Sequence, residues 1–340
     1  MPRCEQDAGC GKRTRLVRRQ GGHLPAKPVP WSAEMLRYDD GVHDLGGPAP
    51  PSELEAAERR CGFSLPPSFV EFLRAHDGGT LFHEAYGIRP CRGLTSVAFG
   101  WEGEATVGFD SRRATEDGEM PVVRIEAEAG LFTVGSRFDR WLMAVLAREE
   151  LVYETDGEFR NVFEEGTPEL RADVWRKREE RGLRADPDAP TAHFELGRMH
   201  AREGRPARAV ECIERAIALE PDFLWAHFEL GRLQRELRRP AEAVESFLRA
   251  ARLDPDQAPV AYAWAARIAA ERQDVDSARH LRARVRLADP TFAGRHKKLG
   301  RALIEAGDPN AADILALGQA IEPDAESAAL LERLILKNRR

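Results

Sequence analysis

The sequence predicts an α+β N-terminal domain, short helices plus an antiparallel sheet, followed by an all-α helical-repeat solenoid. Three observations predict it. Residues 190–221 (PTAHFELGRMHAREGRPARAVECIERAIALEP) and 224–255 (LWAHFELGRLQRELRRPAEAVESFLRAARLDP) share AHFELGR, and Ala192 and Ala226 are 34 apart. A fixed period of about 20–50 residues marks stacked units that cannot bury their faces alone. Upstream, short β-branched and aromatic runs alternate with Gly, Asp and Glu, the pattern of an antiparallel sheet. Two short, punctuated helical segments precede those runs, which makes the first half α+β. A length of 340 residues agrees with about two domains.

In chain order, residues 1–30 read as a flexible basic arm. Lys12, Arg13, Arg15, Arg18 and Arg19 cluster there, and Pro25, Pro28 and Pro30 follow. Cys4, Cys10 and His23 lack the paired spacing and the fourth ligand of a zinc site. The five cysteines are odd in number and scattered, as free thiols in a cytoplasm would be.

Ser52-Glu53-Leu54-Glu55 reads as a capping box, with Leu54, Ala57 and Cys61 as the buried stripe and Gly62 as C-cap. Pro66-Pro67-Ser68 opens a second helix that buries Phe69, Phe72 and Leu73, and His76-Asp77-Gly78-Gly79 ends it. Strands are expected at 80–82, 97–99, 106–109, 122–125, 131–134, 141–146 and 151–153, with Asp156-Gly157 turning the last one onto 159–162.

The segment from Ser52 through Gly62-Phe63-Ser64-Leu65-Pro66-Pro67-Ser68-Phe69 to His76-Asp77-Gly78-Gly79 resembles the opening of the SUKH superfamily. Asp77 stands where that family usually has Asn. The expected 142–146 strand and 151–162 hairpin fit the family's later strands, so the resemblance covers residues 31–183. It implies binding rather than catalysis: many bacterial members resemble toxin-immunity proteins, and fungal relatives resemble cell-wall and signalling regulators.

The repeats begin after that domain, at residue 184. The shift of 34 also carries Leu196 to Leu230, Gly197 to Gly231, Pro206 to Pro240, Ala209 to Ala243, Ala216 to Ala250 and Pro221 to Pro255. Gly197 and Gly231 let a neighbouring helix approach closely. Pro206 suits a first helical turn and Pro221 stops a helix. This pattern resembles the tetratricopeptide repeat. A third copy starts near Ala258 and closes one residue late at Ala288-Asp289-Pro290. A fourth starts near Ala293 with its turn at Asp308-Pro309, and residues 325–337 read as a capping helix. Residues 184–340 therefore hold about four repeats plus that cap. A helix from Pro168 to Arg181 is expected to cap the other end.

Much chemistry is excluded. The net charge of −6 does not call for nucleic acid, and no apolar run approaches the roughly 18 residues of a membrane span. No secretory signal opens the chain. The sequence has no G-x-S-x-G, no H-E-x-x-H, no P-loop and no dinucleotide fingerprint. No cofactor, metal or catalytic residue is expected. His43, His76 and His83 beside Asp44, Asp77 and Glu84 read as turn residues. Glu126 and Glu128 read as an acidic strand edge, solvated or facing a basic partner.

The resemblance to tetratricopeptide repeats implies a groove lined by the first helix of each repeat. Its expected residues are Phe194 and Arg198, then Trp225, Phe228, Arg232 and Arg235, then Tyr262, then Lys297 and Arg301. Phe194, Phe228 and Tyr262 are 34 apart and would form an aromatic ladder. Aromatic and Arg residues are enriched at interface hot spots, and Arg grips carboxylates. His193 and His227 fall on the inner packing face and read as structural. The expectation is a cytoplasmic, non-enzymatic protein-binding protein, a toxin-immunity or related regulatory factor, whose partner is a toxin domain or an acidic peptide. The alternatives are a repeat adaptor unrelated to toxins and an enzyme hidden in the α+β domain.

Overall fold

The computed structural model describes residues 30–338 except 36, 40, 127–129 and 168. The basic arm, Cys4, Cys10, His23 and Glu128 lie outside the described residues. Helix α1 (Pro30–Met35) and strand β1 (His43–Leu45) come first, then α2 (Pro51–Cys61) and α3 (Pro67–Ala75). Helix α2 starts one residue before the expected cap. Pro50 is the N-cap and makes no side-chain bond, so Ser52 lies inside the first turn. Two consecutive prolines preset the entry, and Pro51 needs no N–H there.

The sheet continues through β2 (Gly79–Leu81), β3 (Tyr86–Ile88), β4 (Ala98–Glu102), β5 (Ala105–Phe109), β6 (Val122–Glu126) and β7 (Gly130–Gly135). Each strand pairs antiparallel with the next, giving a seven-stranded meander in sequence order. Strands β1 and β3 are three residues each, too short to show alternation. The expected strand at 141–146 is instead the middle of helix α4 (Phe138–Glu149). Trp141, Leu142, Ala144, Val145 and Leu146 are all buried, and an apolar run of that kind carries no period that tells helix from strand. The expected 151–162 hairpin supplies one bridge, Tyr153 to Phe159.

Aromatic rings fill the space between sheet and helices. Phe99 stacks on Phe109 at 4.4 Å, and Phe138 meets Phe69 at 4.8 Å and Trp141 at 5.7 Å. The β2–β3 turn holds Phe82, His83 and Glu84 at φ of 51°, 52° and 72°. Left-handed backbone costs roughly 1–2 kcal/mol per residue. Burial of Phe82 against Tyr38, His43 and Tyr153 offsets part of that, with ring centroids 4.7–5.1 Å away.

The second half is helical: α5 (Ala172–Ala185), α6 (Pro190–Arg202), α7 (Pro206–Leu219), α8 (Leu224–Glu236), α9 (Pro240–Leu253), α10 (Ala258–Glu271) and α11 (Val275–Ala288). Then come α12 (Phe292–Ala306), α13 (Ala311–Ile321) and α14 (Ala325–Asn338). Helix α5 starts later than expected and packs on both α4 and α6. The expected domain boundary at 183/184 thus falls inside a helix. Helices α6–α7, α8–α9 and α10–α11 form successive hairpins. The glycines of the repeat permit the approach: a Cβ on Gly197 would lie 2.8 Å from Ile213 Cδ1, and one on Gly231 would lie 3.0 Å from the Phe247 ring.

The fourth hairpin departs from the stack. Helix α13 packs on α10, and α11 binds its C-terminal end, with Arg282 and Arg286 donating to the carbonyls of Ala320 and Ile321 at 2.6 and 2.9 Å. Leu317 and Ile321 share the apolar cluster of α10. Cys61, Cys91 and Cys212 are free thiols.

Candidate protein-binding groove

Helices α6 and α8 lie side by side and carry the shared AHFELGR stretch in register. Their shared face walls a groove of about 810 Å³. Phe194, Arg198, Trp225, Phe228 and Arg232 line it, five of the nine residues the repeat pattern proposes. The opposite wall comes from the sheet: Arg124 and Glu126 of β6 and Phe132 of β7. Asn310, just before α13, closes one end.

Aromatic contact runs across the two domains. Phe132 meets Phe223 at 6.2 Å, and Phe223 meets Phe194 at 5.0 Å. Phe194 is 7% exposed and acts as floor, while Phe228 and Trp225 are half-buried and present ring surface. Arg198 lies over the Phe194 ring at 5.6 Å and Arg124 over Phe132 at 5.7 Å.

The charges are balanced within the groove. Arg198 pairs with Glu195 at 3.2 Å, Arg232 with Glu229 at 3.4 Å, and Arg124 with Glu126 at 2.8 Å. Partly exposed pairs of this kind are worth about 0–1 kcal/mol, so a ligand carboxylate exchanges for them at little cost. The arginines are therefore available but not free.

The other four proposed residues lie elsewhere. Tyr262 is buried beneath the Arg284 guanidinium, 4.7 Å from its ring. Arg235 sits 5.0 Å from the Trp264 ring and 3.9 Å from Asp313 of α13. Burial, and then the neighbouring Arg267, pushes its guanidinium below the usual range. Lys297 pairs with Asp324 at 2.7 Å and Arg301 with Glu326 at 3.0 Å, tying α12 to the start of α14. Tyr262 is covered by Arg284 of α11, and the other three are placed by the fourth hairpin. Helix α13 folds back onto α10, so the fourth hairpin supplies no further groove wall and Arg235 is held by α13. The aromatic ladder consequently stops at Phe228.

Sequence reasoning missed the sheet wall. Glu126 reads in the sequence only as a strand edge, and nothing local marks Arg124 or Phe132 as facing a helix some 60 residues later. The junction that places them is polar and specific. Asp186 is fully buried and accepts from the Ser136 N–H at 2.6 Å and its hydroxyl at 2.7 Å. Burial raises the Asp186 carboxyl, and those bonds oppose the rise. Tyr86 donates to Glu149 at 2.8 Å, and Arg178 of α5 pairs with the same carboxylate. Arg140 pairs with Asp188 at 2.9 Å.

Among the described residues, no group of three or more His, Cys, Asp or Glu is placed to hold a metal ion. No described helix is long and apolar enough to cross a membrane.

Residues 48–121 match the SMI1/KNR4 family (SUKH-1), and residues 180–222, 202–258 and 228–291 match the tetratricopeptide repeat. No curated protein matches the chain. Among solved structures, "YrrB: a TPR protein with an unusual peptide-binding site" is 20% identical with a TM-score of 0.35, covering 48% of this chain and 84% of that one. A MamA structure is 19% identical with a TM-score of 0.35, covering 49% and 91%. MamA 41-end from Desulfovibrio magneticus RS-1 is 16% identical with a TM-score of 0.34, covering 45% and 88%. The chain joins a SUKH-1 domain to an array of tetratricopeptide repeats, in that order.

Proposed function

We propose that the protein recognises a polypeptide segment of a partner protein in the groove between α6, α8 and the β6–β7 hairpin, without catalysis. The observation that carries this is the composition of the walls. Half-buried Trp225 and Phe228 face the sheet residues Arg124 and Phe132, and weakly paired arginines lie beside them. Aromatic and Arg anchors in a concave site are what interface hot spots are built from. Both modules are protein-interaction modules, so the groove at their junction unites the two.

At the finer level, the SUKH-1 domain supports a toxin-immunity or related regulatory role in which the partner's active surface is occluded. The balanced lining suits a segment with mixed charge as well as the acidic peptide that the arginines alone suggest. A repeat adaptor unrelated to toxins is the second reading; the aromatic and Arg lining that α6 and α8 supply by themselves favours it.

Selection of a displayed peptide library on the full-length protein tests the groove. Selected peptides should lose at least about tenfold in affinity with Phe228→Ala, with Trp225→Ala and with Phe132→Ala. Loss with the first two and none with Phe132→Ala points to the adaptor reading. Peptides indifferent to all three variants bind elsewhere, and the groove is then discarded.

A further inference from the structure

A chamber of about 230 Å³ lies where the two domains meet, next to the groove and sharing Arg124, Thr191 and Glu195 with it. Arg148 of α4 reaches into it. Its stem crosses α5 at Gly182, where a Cβ would stand 3.2 Å from Arg148 Cδ. The Nε and Nη2 atoms of Arg148 are shut off from solvent and have no hydrogen-bond partner among the described residues. Among the described residues no ion pair within 4 Å engages this guanidinium, and the nearby Glu179 and Glu102 carboxylates act on it only from a distance. Arg178 gives one nitrogen to Glu149 and leaves Nε buried and unpartnered. Thr191, in the first turn of α6, is 6% exposed and its hydroxyl is also unpartnered.

On the acceptor side, one atom is in the same state, Oε2 of Glu102. The Arg124 Nε faces Glu126 at 2.8 Å and is accounted for. Four unpartnered donor atoms thus stand against one acceptor. Buried donors left unmade are costly, and a charged one more so. The wall's three carboxyls, Glu102, Glu179 and Glu195, are matched by three guanidiniums, Arg124, Arg148 and Arg178, so the donors left over set the preference for an acceptor. The N-terminus of α6, a 13-residue helix, adds its positive end at Thr191.

We propose that this chamber is a binding site for a small free carboxylate, gripped by the Arg148 guanidinium and the Thr191 hydroxyl, with Arg178 Nε as a further donor. A guanidinium offers a carboxylate two parallel N–H groups, which is the part of Arg148 that lacks a partner. The open groove supplies the way in. Bound ligand links α4 of the first domain to α6 of the second, so occupancy tightens the junction that shapes the groove.

The test is a titration of the full-length protein with acetate and with succinate, each against sodium chloride at matched ionic strength. Calorimetry and thermal unfolding are the readouts. The expected result is saturable binding of at least one carboxylate with a raised unfolding temperature. Arg148→Met keeps the stem, removes the guanidinium and should abolish the response. Thr191→Val is nearly isosteric and should weaken binding about tenfold. If Arg148→Met does not fold, Thr191→Val decides alone, and unchanged affinity overturns the site. No saturable response to either carboxylate also overturns it, as does a response that survives both variants. Trp225→Ala and Phe228→Ala should leave the titration unchanged, so failure of the peptide reading leaves the chamber standing.

Discussion

Two glycines and one arginine show how single positions set the repeat. A Cβ at Gly197 would lie 2.8 Å from Ile213 Cδ1, which can rotate, and 3.1 Å from the Ala209 carbonyl oxygen, which cannot. Gly197→Ala gains about 1 kcal/mol of helix propensity and loses about 1–3 kcal/mol to overpacking, so a net loss is expected as a lower urea midpoint. Arg238 occupies the inter-helix turn at φ of 58°, where the first repeat has Gly204 at 70°. Arg238→Gly should raise the midpoint, because the left-handed penalty of roughly 1–2 kcal/mol exceeds the entropy cost of glycine. His193 and His227 hold equivalent posts. Each ring Nε2 lies 2.9 or 2.8 Å from a proline carbonyl six residues back, Pro187 or Pro221. Burial pushes both rings down, so they are neutral donors that fasten each inner helix to the turn before it.

At the scale of elements, α10 explains the shape of the site. Ten of its fourteen residues are buried, including Ala261, Tyr262, Trp264, Ala265 and Ile268. A helix that is apolar all round has neighbours all round. Its counterpart α8 keeps Trp225, Phe228 and Arg232 at the groove instead. The covering helix is α13, held by Leu317 and by Asp313, which lies 2.8 Å from Arg267. Leu317→Ala removes a side chain that is 1% exposed and should cost about 2–5 kcal/mol. Amide hydrogen exchange should then quicken in α10 and α13 while α6–α7 stays protected; uniform quickening would mean that α13 is part of one indivisible unit. The sequence places Tyr262 of the Ala-rich stretch AYAWAARIAA at the groove, and nothing in it marks the helix that covers this stretch.

For the whole molecule, burial of histidine sets the response to acid. His43, His76, His193, His200, His227 and His296 are all pushed below the ordinary imidazole value of 6.5, burial being the largest cause in each, and His43 falls to about 4. A ring whose folded value is depressed binds its proton more readily in the unfolded chain. The stability these rings contribute is therefore fully present above about pH 6.5 and is lost as pH falls toward 4. The urea midpoint at about pH 5 should lie below that at about pH 7.5. Equal midpoints would mean that the folded chain takes up protons as readily as the unfolded one. At the junction, buried Asp186 accepts the Ser136 bonds that hold the two domains together. Cutting the chain at 183/184 would sever α5 and these bonds at once, so tests of binding belong on the full-length protein.

By itself, the sequence determined the succession of an antiparallel α+β domain and paired helices. The period of 34 named the inner faces of α6 and α8, because residues in register on like helices share an environment wherever the stack places them. Only the tertiary structure decided what stands opposite those faces. Arg124 and Phe132 reach the groove through a junction between segments far apart in the chain, and α13 ends the ladder by folding back onto α10. Neither contact leaves a periodic mark, since periodicity records which side of an element is buried and not which distant element buries it.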